Sequence, residues 1–201
     1  MKHSHLILHG SYGTTDENWF TWLKLQLEAA GHSVLLPQFP IDDWDQANQV
    51  GKDIFVPKNQ SLSSWLAAFE GLLPSLDTSN LTVIAHSSAP LFMLHVLLGH
   101  PAVQLRKALF VAPFLGKIGD IWQIEKVNQS FYAPQEFNFE QIAAQIKEAI
   151  VFYSDNDPYV PAEASLQFAS KIHAKTIEIS AAGHFNTEAG YTSFPQILKY
   201  L

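Results

Sequence analysis

Short apolar runs rich in Val, Ile and Leu alternate along the chain with longer segments whose apolar positions recur at helical spacing. That alternation predicts βα units built on a mostly parallel sheet. The predicted strands are residues 5–9 (HLILH), 33–36 (SVLL), 81–85 (LTVIA), 107–112 (KALFVA), 149–154 (AIVFYS) and 175–180 (KTIEIS). Several are apolar throughout, as strands covered on both faces should be.

Between the strands, residues 17–30 set Trp19, Phe20, Trp22, Leu23, Leu25 and Leu27 on a broad apolar stripe, with Lys24, Gln26 and Glu28 outside it and Gly31 as the stop. A second helix is predicted over 61–73, with Ser61 as N-cap and Trp65, Leu66, Phe69, Leu72 and Leu73 on its core side. Further helices are predicted near 89–99, 138–148, 162–172 and 191–201. Two stretches carry no readable period: 37–60, with three prolines and an Asp42-Asp43-Trp44-Asp45 cluster, and 114–134. Both follow strands, and in an open parallel sheet such excursions border the ligand end. With no repeat or linker in 201 residues, one domain over 1–201 is expected.

Composition narrows the chemistry. A net charge of -7 without any basic run argues against a general nucleic-acid binder, which needs clustered cations. The absence of cysteine excludes a thiol nucleophile, a thiolate zinc site and a disulfide framework. No histidine pair has metal-ligand spacing beside a supporting carboxylate, so no metal is expected. The N-terminal apolar stretch is too short for a signal-peptide core, and the longest apolar run, 81–98, is broken by His86, Ser87, Ser88, Pro90 and His95. A cytoplasmic protein without a membrane span is therefore expected. The Asp42, Asp43, Asp45 cluster is read first as a solvated acidic loop and, as the alternative, together with the acidic balance as disfavouring strongly anionic substrates.

The segment most informative about chemistry runs Leu81-Thr82-Val83-Ile84-Ala85-His86-Ser87-Ser88-Ala89-Pro90. An apolar strand meets a serine among small residues and continues into a helix, the pattern of a nucleophile elbow. In such a turn the hydroxyl stands above the sheet on a strained backbone, and crowding demands small side chains two positions to either side. Those positions hold Ala85 and Ala89, which centre the motif on Ser87 rather than on the rival Ser88. His86 is expected to be structural, since the residue before the nucleophile points away from the reacting atom.

An activated serine needs a base and a group to orient it, following in the order Ser, acid, His. After the 149–154 strand comes Asp155-Asn156-Asp157-Pro158-Tyr159-Val160-Pro161, and after the 175–180 strand comes Ala181-Ala182-Gly183-His184-Phe185. Asp157 is preferred as the acid for its place before Pro158, and Asp155 is read as a turn residue or a helper of the loop. His184 is the base. Leu8-His9-Gly10-Ser11-Tyr12-Gly13 after the first strand offers a backbone donor for the oxyanion. The donors are assigned to the N–H groups of Ser11 and Ser88, with Tyr12 the alternative to Ser11.

With these motifs in place, the chain resembles the small α/β-hydrolases typified by retinoblastoma-binding protein nine and the bacterial YdeN-type proteins. The likeness rests on the His9-Gly10 loop, Asn18-Trp19-Phe20-Thr21-Trp22-Leu23, the Ala85-His86-Ser87 turn, the Asp157-Pro158-Tyr159-Val160-Pro161 turn and the terminal Gly183-His184-Phe185. It implies a compact three-layer α/β-hydrolase fold: six mostly parallel strands in the order 2-1-3-4-5-6, helices on both faces and no large cap. It also implies a triad of Ser87, Asp157 and His184 and no cofactor. Relatives have glycine where this chain has Ala89. The function expected is a serine hydrolase, a carboxylesterase of small or short-chain acyl esters working through an acyl-enzyme, with amide, thioester or acyl-transfer chemistry open to the same residues. The alternative is a protein-interaction factor with weak or vestigial activity, with Trp44, Phe55, Trp122, Phe131 and Tyr132 as anchors.

Overall fold

The computed structural model describes residues 2–132 and 137–201, so Ala133 and Pro134, the end of the unassigned 114–134 stretch, lie outside the described residues. Strands β1 (His5–Leu8), β2 (Val34–Leu35), β3 (Leu81–His86), β4 (Leu105–Val111), β5 (Ala149–Tyr153) and β6 (Lys175–Glu178) form one sheet. All neighbours pair in parallel, in the order β2-β1-β3-β4-β5-β6. The chain steps outward from β1 to β2 and then returns across β1 to β3. The loops leaving the C-terminal ends of β1 and β3 therefore diverge there, the switch point at which open parallel sheets take ligands.

Every residue of β1 and of β3 is buried, and since side chains alternate between faces, both faces of the sheet centre are covered. The edge strand β6 is mostly exposed. Helices α1 (Phe20–Ala29), α2 (Trp44–Val50), α3 (Leu62–Leu72), α4 (Ala89–Gly99), α5 (Trp122–Asn128), α6 (Phe139–Ala144) and α7 (Ala162–Lys171) supply the cover. The apolar 81–98 run is β3 followed by α4, a helix buried at eight of its positions from Ala89 to Leu97. No helix among the described residues is long and apolar enough to cross a membrane.

The departures from the predicted elements have local causes. Leu25 is 58% exposed because it lies two residues from Leu23 and two from Leu27, on the face of α1 opposite the buried Phe20, Leu23 and Leu27. The predicted 138–148 helix stops at Ala144, since Lys147 N–H donates to the Leu105 carbonyl at 2.9 Å and the chain is already aligned with β4. The predicted 191–201 helix is a 3-10 helix over Pro195–Tyr200; Phe194, ahead of a proline, is held out of the helical region at ψ 71°.

The two unassigned stretches contain α2 and α5, each of seven residues. Asp43 caps α2 by accepting from Gln46 N–H at 2.8 Å, and Asp42 is buried and accepts from the N–H groups of Lys58, Asn59 and Gln60. These two aspartates of the acidic cluster thus have structural partners. Ala47, Phe55 and Val127 form a small apolar cluster apart from the main core, with Tyr12 and Trp122 packed on it. Among the five aromatic anchors considered for a partner protein, Phe55 and Phe131 are buried, Trp122 and Tyr132 partly buried, and Trp44 exposed.

Candidate active site

Ser87 opens the turn between β3 and α4 with φ 61°, a left-handed conformation that costs a non-glycine residue about 1–2 kcal/mol. Its N–H is held by the Val111 carbonyl at 2.8 Å, and Pro90 enters the first turn of α4, where its missing N–H costs nothing. Ala85 and Ala89 are fully buried, so the elbow forms with alanine at both crowded positions. The β1 loop presses on the same turn. A Cβ at Gly10 would stand 2.6 Å from Ser87 Cβ, so only glycine fits there.

His184 Nε2 lies 3.1 Å from Ser87 Oγ, and its Nδ1 lies 2.8 Å from Asp157 Oδ2. The carboxylate fixes the proton on Nδ1 and leaves Nε2 as the acceptor facing the serine. Asp157 is itself held, because its Oδ1 accepts from Tyr159 N–H at 2.8 Å and Val160 N–H at 2.9 Å. The three residues singled out in the sequence are thus joined in one hydrogen-bonded line. The proline after Asp157 starts the turn that aims those two N–H groups back at its carboxylate.

The histidine loop is fastened at each successive residue. Asp155 Oδ1 accepts from Ala181 N–H at 2.7 Å, Ser154 Oγ from Ala182 N–H at 3.0 Å and Asn156 Oδ1 from Gly183 N–H at 2.8 Å. Asp155 is therefore the loop helper of the two readings considered for it. From the other side, His86 Nε2 donates to the His184 carbonyl at 2.8 Å and Trp19 Nε1 to the Phe185 carbonyl at 2.9 Å. Asn18 Oδ1 accepts from Thr187 N–H at 2.8 Å. Burial, with the neighbouring His184 adding to it, pushes the His86 pKa down to about 3, so the ring is a neutral donor. The Asn18-Trp19 pair that marks the first helix acts as a clamp on the loop of His184, 166 residues further along the chain from Trp19 to Phe185.

Neither Ser11 N–H nor Ser88 N–H has a hydrogen-bond acceptor among the described residues, whereas Tyr12 N–H donates to Gln60 Oε1 at 3.0 Å. The geometry favours Ser11 over Tyr12 as a free donor at the elbow. Two buried side chains that sequence reasoning did not single out stand behind it: Asn128, whose Oδ1 is 2.7 Å from Ser11 Oγ, and Gln60. Gln60 closes one stretch without periodicity and Asn128 lies within the other, and no local pattern marks them.

Two adjoining cavities of about 340 Å³ and 380 Å³ meet at Ser87 and His184. Asn18 and Thr187 add polar surface to the first, while Trp44, Ile118, Ile124 and Tyr159 line the second. Glu17 and Glu188 border both, and no lysine or arginine borders either. The carboxylates that face the cleft are thus not those of the Asp42-Asp43-Asp45 cluster.

Residues 5–201 match the family model described as serine hydrolase. The chain is 26% identical over 206 residues to the Bacillus subtilis (strain 168) protein YdeN, covering 97% of this chain and 92% of that one. It is 25% identical over 181 residues to the serine hydrolase RBBP9 of Rattus norvegicus, covering 90% and 85%. Among solved structures, the ydeN gene product of B. subtilis superposes with a TM-score of 0.79 at 24% identity, covering 100% of this chain and 96% of that one. The 2-hydroxy-6-oxo-6-phenylhexa-2,4-dienoate hydrolase of Rhodococcus sp. strain RHA1 gives 0.66 at 13%, covering 99% and 89%. With the strand order, these likenesses identify the α/β-hydrolase fold.

Proposed function

The chain belongs to the serine hydrolase family, and from that premise we propose that it is a carboxylic ester hydrolase in which Ser87 is the nucleophile, His184 the base and Asp157 the orienting acid. The observation that carries this reading is the unbroken line from Asp157 through His184 to Ser87 at 2.8 and 3.1 Å, ending on a serine at φ 61°. His184 Nε2 takes the hydroxyl proton as Ser87 Oγ attacks the acyl carbon, and the N–H groups of Ser11 and Ser88 hold the oxyanion. Collapse expels the alcohol, which receives the proton from His184, and leaves an acyl group on Ser87. Water, deprotonated by the same imidazole, releases the acid.

The second cavity, with Trp44, Ile118, Ile124 and Tyr159, suits a compact apolar acyl group, and its volume of about 380 Å³ favours short chains. Glu17 and Glu188 at the cleft, with no cation among its lining residues, disfavour anionic acyl groups. The whole of 1–201 is read as one domain acting on a small-molecule ester, with no cofactor in the steps above.

A fluorophosphonate probe tests the reading. Labelling of the wild type and its loss in Ser87→Ala are expected, with nitrophenyl esters cleaved fastest at acetyl to butyryl length. A wild type that resists the probe, or a Ser87→Ala variant that labels equally, removes it. Activity rising steadily to long chains removes the short-acyl assignment alone.

A further inference from the structure

A chain of hydrogen bonds runs beneath the loop that faces Ser87. The Ser11 and Ser88 hydroxyls lie 3.0 Å apart, and Ser11 Oγ lies 2.7 Å from Asn128 Oδ1. Gln60 Nε2 reaches the same oxygen at 3.4 Å, while Gln60 Oε1 accepts from Tyr12 N–H at 3.0 Å. Ser88, Gln60 and Asn128 are all buried and Ser11 is half-buried, so the chain has its far ends out of water and its middle at the cleft.

Ser11 Oγ is the donor toward both partners, and its single proton goes chiefly to the shorter contact, Asn128 Oδ1 at 2.7 Å, an atom that can only accept, with Ser88 Oγ at 3.0 Å as the second acceptor. Gln60 engages the Tyr12 N–H, whereas the neighbouring Ser11 N–H has no acceptor among the described residues. The two residues whose N–H groups lack acceptors are thus tied to each other through their side chains, and both are referred to Asn128. Asn128 ends α5 and Gln60 lies just ahead of α3, so the reference frame is built from elements other than those that carry the serine and the histidine.

We propose that Asn128 and Gln60 are positioning residues for the oxyanion hole, Asn128 fixing the Ser11 and Ser88 N–H groups through the Ser88–Ser11–Asn128 hydroxyl and amide chain and Gln60 tying Asn128 to the Tyr12 N–H. The proposal rests on the reading of Ser87 as nucleophile and of those two N–H groups as oxyanion donors. Neither side chain touches the substrate. Their effect falls on the tetrahedral state, in which the oxyanion must meet donors at hydrogen-bond distance, and not on substrate binding. Removing one oxyanion donor outright costs about 10²–10³ in rate, and loosening one that remains in place costs less, about tenfold.

The experiment compares wild type, Asn128→Ala, Ser11→Ala and the double variant on a short nitrophenyl ester, with butylboronic acid as the tetrahedral mimic and fluorophosphonate labelling of each. Each single variant is expected to lose about tenfold in kcat with KM within about twofold, and to bind butylboronic acid about tenfold more weakly. The double variant should lose no more than either single one, because both cut the same chain. A kcat within about twofold of wild type, a loss carried by KM, unchanged boronate affinity, or multiplicative losses in the double variant would overturn the proposal. Should Asn128→Ala melt below the assay temperature, Ser11→Ala and Ser11→Thr carry the test: the threonine keeps the hydroxyl and should restore kcat, and equal losses in the two count against it. A wild type that the probe leaves unlabelled overturns the nucleophile reading and this one with it; labelled proteins with equal kcat overturn this one only.

Discussion

On one side of Ser87, four consecutive residues after β5, Ser154 to Asp157, bind four consecutive residues after β6, Ala181 to His184, and the clamp of Asn18, Trp19 and His86 closes over the next turn. On the other side, Ser11, Gln60, Ser88 and Asn128 come from four separate segments and meet through one hydrogen bond per step. The histidine side is held redundantly, and the donor side is held in series. Redundant fastening spreads the loss of any single bond over its neighbours, while a series transmits a break along its whole length.

This contrast can be broken most sharply at Gly10. A methyl group there would stand 2.6 Å from Ser87 Cβ and 3.1 Å from the His86 carbonyl oxygen, so the turn and the β1 loop would have to part. Gly10→Ala is expected to lower kcat/KM about a hundredfold and to slow fluorophosphonate labelling in parallel, since a displacement near 1 Å costs about that much. Wild-type labelling in this variant would show the donor side to be as tolerant as the histidine side.

An intermediate effect is expected from cutting single fastenings of the histidine loop. Trp19→Phe removes the donor to the Phe185 carbonyl, and Asn156→Ala removes the acceptor for Gly183 N–H. Each should destabilise the protein by about 1–3 kcal/mol, read by denaturant melts, with kcat reduced less than about fivefold. The double variant should lose far more than the product, because the remaining bonds no longer suffice. Large losses in kcat from either single variant would dissolve the distinction.

An effect seen only on acidification is shared by both sides. His86 beneath the histidine loop and His9 beneath the donor loop are buried, and burial lowers both pKa values, that of His86 to about 3. An unfolded histidine titrates near about 6.5, so below that pH the unfolded chain takes up protons that the folded chain refuses. For His86 that stability is fully present above about pH 6.5 and falls as the pH drops toward 3, by up to about 1.4 kcal/mol per pH unit, and His9 acts in the same direction. His86→Gln keeps a donor for the His184 carbonyl and should flatten the slope; an unchanged slope would place the acid sensitivity elsewhere.

The same contrast explains what could be read from the chain. Ser87, Asp157 and His184 were legible because each follows a predicted strand, so the sheet carries all three to one edge, and the strand order expected from the family resemblance agrees with the one observed. Trp19 was legible as a marker but not as a clamp, since its partner is a backbone carbonyl. Gln60 and Asn128 were illegible because they act through tertiary contacts alone. The seven-residue helices α2 and α5 are too short for a period to show, and α2 buries Ala47 alone. The terminal helix was over-read because the Phe194-Pro195 step forbids what the apolar spacing allows.

An all-parallel sheet has no hairpins, so each neighbour in β2-β1-β3-β4-β5-β6 is reached only after an intervening excursion of chain. Loop closure precedes the pairing that stabilises it, and such topologies fold slowly. The cluster around Ser87 draws on the ends of β1, β3, β5 and β6, and His184 lies 17 residues before the C-terminus. No fragment that stops short of β6 holds it. During refolding, recovery of fluorophosphonate labelling should therefore trail the recovery of helical circular dichroism, so that the label times the closing of the last strand.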